Sequence, residues 1–214
     1  MIYLIITSST VINNTTIETY ESRKNNYINS ITRTLNNCDR AKIRPIIVEN
    51  NKTENQDKYL SNFNDVDVFY TDNNLKLKDV VHKGWIELYD IKDVINHYDI
   101  KDDDIVIKIT GRYFLNGPVF LDFVYDNQNN YDAFIKFWNV CANEFQETDC
   151  ALGMIAMRCK LFKEFNYDVE MLSPECDLAR YIRNLQKEGK IRLAEIRLLD
   201  LVCLFAQSSY ASHI

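Results

Sequence analysis

Glycine and proline are scarce in this chain, with 5 Gly and 3 Pro among 214 residues. That scarcity excludes a linker-rich or disordered polypeptide, which needs both in quantity. No Cys-x-x-Cys pair occurs among Cys38, Cys141, Cys150, Cys159, Cys176 and Cys203. Several of these lie in apolar runs such as 201–205, so dispersed buried thiols in a reducing compartment are expected, without a zinc site or disulfide framework. The apolar start at 1–6 has no basic lead and gives way at once to Thr7-Ser8-Ser9-Thr10, so it reads as a first strand and no secretory signal is expected. The late apolar stretch 198–206 contains Asp200 and falls far short of a bilayer span. A cytoplasmic protein with no membrane span is expected. The net charge of −6 argues against nucleic acid as the main partner.

What is present suits one domain covering 1–214, either whole or part of a larger protein, with enough chain for a three-layer core. Apolar strand patterns alternate with helical ones. Residues 2–7, 43–48, 67–70 and 105–109 read as strands. Residues 19–36 and 77–98 read as helices, the second from Val81, Trp85, Leu88, Ile91, Ile95 and Tyr98 at intervals of three or four. Such alternation predicts an α/β fold, a mostly parallel mixed sheet with helices on both faces. In the second half, 119–124 and 133–138 read as short extended pieces and 151–157 as a core strand leading into 159–165. Residues 175–186 read as a helix, with Ser173 as N-cap and Pro174 as first helical residue. The pattern of 191–205 fits strand and helix equally.

The densest signal is 102–115, where a strand of Ile105, Val106, Ile107 and Ile109 runs into Thr110-Gly111-Arg112. Ligands of open α/β sheets bind at the carboxyl ends of strands. Lys108 and Arg112 there, with a glycine permitting close backbone approach, suit an anion such as a diphosphate. His82-Lys83-Gly84 falls near the start of the long helix, where free N–H groups favour anions.

These elements, with a first strand ending in Thr7, an Arg- and Tyr-bearing helix and Ile-Ile-Val-Glu-Asn-Asn at 46–51, resemble small GT-A-type glycosyltransferase domains. Such domains occur in bacterial polysaccharide loci and in large DNA viruses of algae, including the chlorovirus transferases associated with capsid glycosylation. The resemblance covers most of the chain and is strongest over 1–115, where Lys-x-Thr-Gly-Arg-Tyr at 108–113 is the most specific element. It implies a GT-A-like fold, a UDP-sugar donor, Mn²⁺ or Mg²⁺ as cofactor, and a glycan or glycoprotein acceptor that includes a viral capsid glycan.

Under that resemblance the donor is expected to meet Thr7, Ser8, Arg23, Glu49, Asn50, Lys83, Gly84, Lys108, Thr110, Gly111 and Arg112. GT-A enzymes usually hold the metal by an Asp-x-Asp element at the central strand end, because hard cations want oxygen ligands. This chain has Lys108-Ile109-Thr110 there. Asp79, His82 and His213 are the alternative metal candidates. Asp65, Asp67 and the acidic run Asp102-Asp103-Asp104 precede strands, at the wrong edge, and read as solvated turns. For the acceptor, Asp149 and Glu175 are the candidate catalytic carboxylates, with Asp177 beside them. Two other readings stay open. A nucleotidyltransferase would carry a glycine-rich basic loop after the first strand, and 7–14 has neither glycine nor base. A noncatalytic glycan- or partner-binding protein is compatible with the missing Asp-x-Asp.

Overall fold

The computed structural model describes residues 1–10, 17–51, 59–77, 83–168, 173–204 and 211–214. Its first half builds β1 (Ile2–Ser8), α1 (Ile17–Asn36), β2 (Arg44–Glu49), β3 (Asp67–Tyr70), the short α2 (Asn73–Lys76), α3 (Lys83–His97) and β4 (Ile105–Thr110). The second half adds β5 (Phe114–Leu115), α4 (Val119–Asn127), β6 (Ala133–Ile135), β7 (Met154–Arg158), α5 (Cys159–Glu164), α6 (Pro174–Lys187), β8 (Leu193–Glu195), β9 (Leu201–Leu204) and β10 (Ala211–His213). Seven strands form one sheet in the order β3-β2-β1-β4-β7-β6-β8, and β10-β9-β5 form a second, small sheet. Strands β3, β2, β1 and β4 are parallel, and β7 is antiparallel to β4 and to β6. The order reverses between β1 and β4, which makes their carboxyl ends the switch point where ligands of such sheets lodge.

The period-2 alternation of a strand divides the core into two layers. Ile2, Leu4 and Ile6 of β1 and Ile105, Ile107 and Ile109 of β4 pack with Tyr27, Ile31 and Leu35 of α1 and with Phe120 and Val124 of α4. Tyr3, Ile5 and Val106 face the other way, onto Leu88, Ile91, Val94 and Ile95 of α3 and onto α5 and α6. By the same parity, Thr7, Lys108 and Thr110 belong to the α3 side and Ser8 to the α1 side. The expected α/β sheet with helices on both faces is therefore the observed fold.

Three local expectations differ, and one open assignment is resolved. Residues 119–124 are helical, within α4, not extended. Their aromatic and β-branched content suggests a strand, but Phe120, Leu121 and Val124 bury one helical face after Gly117-Pro118. The described part of the long helix begins at Lys83, and Leu77 ends the separate α2. The core strand expected at 151–157 starts later, because Ala151 instead donates its N–H to Lys136 O. The ambiguous 191–205 contains two strands, β8 and β9, separated at Asp200, whose φ is +54°. The acidic run sits at the amino edge as expected, with Asp102 on Lys163 and Asp104 on the chain's amino group. Asp65 and Asp67 hold Arg40 and Arg44.

Candidate functional site

At the carboxyl edge of β1, β2 and β4 the structure gathers three buried polar clusters. The central one is built on β4. Lys108 is 2% exposed, and its ammonium meets Glu87 Oε2 at 2.6 Å, Thr110 Oγ1 at 2.9 Å and Leu152 O at 2.7 Å. An ammonium has three hydrogens, so all have protein acceptors. Glu87, on the second turn of α3, also accepts from Thr7 Oγ1 at 3.0 Å and Thr110 Oγ1 at 3.1 Å. Burial pushes the Glu87 carboxyl up, but the Lys108 charge and the hydrogen bonds from Lys108, Thr7 and Thr110 outweigh it and leave it below the usual range. Lys108 therefore acts on the site through Glu87, fixing it, and has no free hydrogen for a phosphate.

The second cluster lies on the α1 side. Glu49 is fully buried and accepts from Ser8 Oγ at 2.6 Å, Tyr59 OH at 2.7 Å and Asn51 Nδ2 at 2.6 Å, with Thr10 N–H farther off at 3.4 Å. These contacts use the lone pairs a carboxylate offers. Beside it, Arg23 of α1 donates to Ser9 O at 2.6 Å and Thr10 O at 3.3 Å, clasping the chain as it leaves β1.

The third cluster centres on Asp90 of α3, fully buried, which accepts from Thr71 at 2.7 Å, Asn73 at 2.9 Å and Asn50 at 3.0 Å. Burial pushes its carboxyl up to about 7 against those hydrogen bonds, with the nearby Glu87 charge adding to the rise. An unfolded Asp titrates near about 3.9. The folded chain thus holds this proton more tightly, so its stabilising contribution is complete below the unfolded value and is lost as pH rises through about 7. Glu87 has the opposite sign, and its contribution is lost as pH falls through its depressed value. The unfolding free energy from urea titration is therefore expected to fall from pH 5 to pH 8, by on the order of a few kcal/mol, and Asp90→Asn to flatten that slope. An unchanged slope in Asp90→Asn would show that the group does not titrate there.

The remaining expected residues form the rim. Thr110 donates its N–H to Gly153 O, and Gly111 N–H reaches Thr7 O at 2.7 Å. A Cβ on Gly111 would lie 2.5 Å from that oxygen, so this glycine serves a close approach of β4 to β1. Arg112 donates to Leu204 O at 3.0 Å, tying the small sheet to the site. Tyr113 lies against Gly153, and the charges of Arg112, Glu87 and Glu175 bear on its phenol, which burial pushes up. Gly84, in the first turn of α3, has Pro174 3.0 Å from where its Cβ would be, which lets the starts of α3 and α6 meet. Lys83 opens α3. At the start of α6, Glu175 accepts from Ser173 Oγ at 2.7 Å, so Ser173 serves Glu175 in place of a side-chain cap. Glu175 lies near Asp149, whose buried carboxyl is pushed up by desolvation against a hydrogen bond from Cys150 N–H, with Glu175 raising it further.

Thr7, Thr110, Gly111 and the Arg112 backbone thus come together, with Ser8 beside Thr7 at the end of β1, Glu49 and Asn50 at the end of β2, and Asp149 and Glu175 across the edge. His213 lies level with Val202, and its Nε2 is 2.7 Å from Asp200 Oδ1, toward the Gly117 end of β5 and away from Arg112. Asp79 and His82 lie outside the described residues. Among the described residues no group of three acidic, His or Cys side chains can hold a metal. The carboxylate at the β4 end, Glu87, is already occupied by Lys108 and two threonines. These residues do not fit a protein-held Mn²⁺ or Mg²⁺.

Glu87 and Asp90 were not among the expected site residues. Their signal is a lysine inside a strand otherwise made for burial, which demands an acidic partner. Two acids three apart, each one residue before an apolar register position of α3 (Leu88 and Ile91), supply that partner and its neighbour.

No protein-family model matches the chain, and no curated protein matches it in sequence. Its fold is that of GT-A nucleotide-diphospho-sugar transferases. A protein from Desulfovibrio desulfuricans assigned as a nucleotide-diphospho-sugar transferase superposes with a TM-score of 0.56 at 10% identity, covering 91% of this chain and 79% of that one. The mannosyltransferase PcManGT from Pyrobaculum calidifontis, in complex with GDP-Man and Mn²⁺, gives 0.57 at 8% identity over 91% of this chain and 54% of its own. Residues 1–349 of TarS from S. aureus, in complex with UDP, give 0.52 at 11% identity over 100% and 61%. The chain thus spans only part of the length of each. No helix among the described residues is long and apolar enough to cross a membrane.

Proposed function

We propose that the protein is a glycosyltransferase that moves a sugar from a nucleotide-diphosphate donor, UDP-linked, to a glycan or glycoprotein acceptor. The observation that carries this reading is the polar edge where Thr7, Thr110 and Glu87 interlock at the β1–β4 switch point. Such an edge, held from beneath by Lys108, is preorganised, and fixed polar groups are what orient a donor. The diphosphate charge falls to Arg112 and Arg23 and to the start of α3, where Lys83 and Gly84 stand. Ser8, Glu49 and Asn50 shape the adjoining base and ribose pocket. A divalent ion, which the strand end does not cage, would enter with the diphosphate and neutralise it. The proposal extends to a cytoplasmic setting and to viral capsid glycans among acceptors, as the resemblance over 1–115 implies.

For transfer with inversion, Asp149 or Glu175 takes the proton of the acceptor hydroxyl. The hydroxyl oxygen bonds the anomeric carbon, and the bond from that carbon to the diphosphate breaks, releasing UDP. A carboxyl raised by burial, as in Asp149, is the better base. A binder without transfer activity is favoured by one observation, the ion pair of Lys108 with Glu87 where an acidic pair is usual.

The test is calorimetry with UDP and hydrolysis of UDP-sugars, each with and without Mn²⁺. UDP is expected to bind, and Arg112→Ala to lose about ten- to hundredfold in affinity, the worth of one charge-assisted hydrogen bond of about 1.5–3 kcal/mol. Binding without hydrolysis or transfer selects the noncatalytic reading. No binding of UDP, with or without Mn²⁺, overturns the UDP-sugar transferase reading.

A further inference from the structure

At the far side of the sheet, β6 and β8 run parallel to one another and in the same direction as β4, since the path from β4 to each passes two reversals. Their carboxyl ends therefore open at the same edge as the proposed donor site. Beyond those ends lies a groove of about 490 Å³ whose walls include Lys136, Trp138, Phe145, Glu195 and Arg197. That volume falls within the roughly 300–1,000 Å³ typical of small-molecule sites. Its chemistry is mixed. Phe145 is 63% exposed, an aromatic ring left in water beside polar neighbours. Lys136 donates to Arg197 O and places its ammonium 4.4 Å from the centre of the Trp138 ring, which fixes that ring in orientation. Arg197 is exposed, and its guanidinium has no ion-pair or hydrogen-bond partner among the described residues. Glu195 adds a carboxylate, held by Arg183.

The backbone ties this groove to the other site. Ala151 N–H donates to Lys136 O and Trp138 N–H to Asp149 O, so Asp149 stands on the strip of chain between them. From the end of β4 to the end of β6 is two strand spacings, about 10 Å, the span of a short oligosaccharide.

We propose that this groove holds the acceptor saccharide, with a pyranose face against Phe145 and Trp138 and its hydroxyl groups on Arg197 and Glu195. The proposal rests on the glycosyltransferase reading for the donor and names the site of the second substrate. Aromatic faces take the apolar C–H surface of a sugar ring, and a free guanidinium takes its oxygens. The approach from this side carries the acceptor hydroxyl past Asp149 toward the β1–β4 edge.

Saturation-transfer NMR with methyl pyranosides of glucose, galactose, mannose, xylose and N-acetylglucosamine tests this, with UDP measured in parallel on the same samples. At least one pyranoside is expected to bind the wild type. Arg197→Ala should weaken it about tenfold and Phe145→Ala several-fold, while both leave UDP affinity unchanged. Both residues are exposed, so neither variant threatens the fold. UDP binding with no pyranoside binding, or pyranoside binding unaltered in both variants, overturns the groove and leaves the donor site standing. Pyranoside binding lost in the variants, without UDP binding to the wild type, overturns the acceptor assignment and the donor reading together.

Discussion

Replacing Glu87 by alanine is expected to destabilise the fold by about 3–5 kcal/mol, the cost of stranding a buried charge. Lys108 is 2% exposed, and two of its three acceptors, Thr110 Oγ1 and Leu152 O, carry no charge. Without Glu87 the ammonium must either stay charged in a site closed to water or lose its proton. The Glu87 side chain is 23% exposed, so water entering the vacated space moves the cost toward the lower end of that range. Adding Lys108→Met should recover most of the loss, because removing both partners of a buried pair in favour of an apolar side chain is often neutral or better. Urea denaturation of the wild type, Glu87→Ala, Lys108→Met and the double variant closes the cycle. A Glu87→Ala midpoint equal to wild type would sink the claim that this pair sits in a dry interior. Nucleotide affinity should not return with stability in the double variant, since the interlock of Thr7 and Thr110 needs the carboxylate.

Much of this edge is legible in the residues. The run Ile105-Val106-Ile107 can only be a strand covered on both faces, and the polar turn after Ile109 must then emerge at a sheet edge. Parity alone puts Lys108 and Thr110 on one side of the sheet, and the β1–β4 register adds Thr7. What parity cannot give is the helix register across the gap, because Glu87 and Lys108 are 21 residues apart and meet only once α3 has packed. The same holds for Gly111. A glycine beside basic residues suggests a ligand's approach, and the neighbour is instead the Thr7 carbonyl of the adjoining strand. The helix of 119–127 was hidden by side chains that favour strands in isolation, and tertiary burial of one face decided otherwise. Strands β8 and β9 stayed ambiguous because charged residues interrupt both periodicities. The groove beyond β6 was illegible for another reason, since it joins segments some 60 residues apart that carry no motif.

Gly111→Ala is expected to be the most damaging change at the site that removes no polar group. The added methyl would stand 2.5 Å from Thr7 O, 3.2 Å from the Tyr27 ring and 3.3 Å from Ile6. The first contact is backbone, in β1, an interior strand of the sheet, and it cannot rotate away. Relief requires β4 to move from β1, which breaks the 2.7 Å hydrogen bond from Gly111 N–H to Thr7 O. Overpacking of this kind costs about 1–3 kcal/mol. The functional cost should be larger, because a displacement of about 1 Å among groups that position a reaction can cost about a hundredfold. Here Thr110 and Arg112 flank the moved residue on both sides. Gly117→Ala is the matched control. Its methyl would meet only the Asp200 carboxylate at 2.8 Å, the end of a side chain that can swing aside. UDP calorimetry and UDP-sugar turnover on the two variants should therefore separate sharply, with Gly117→Ala near wild type and Gly111→Ala depressed about a hundredfold at temperatures where both remain folded. Equal activity in the two would mean that the β1–β4 junction does not position the donor.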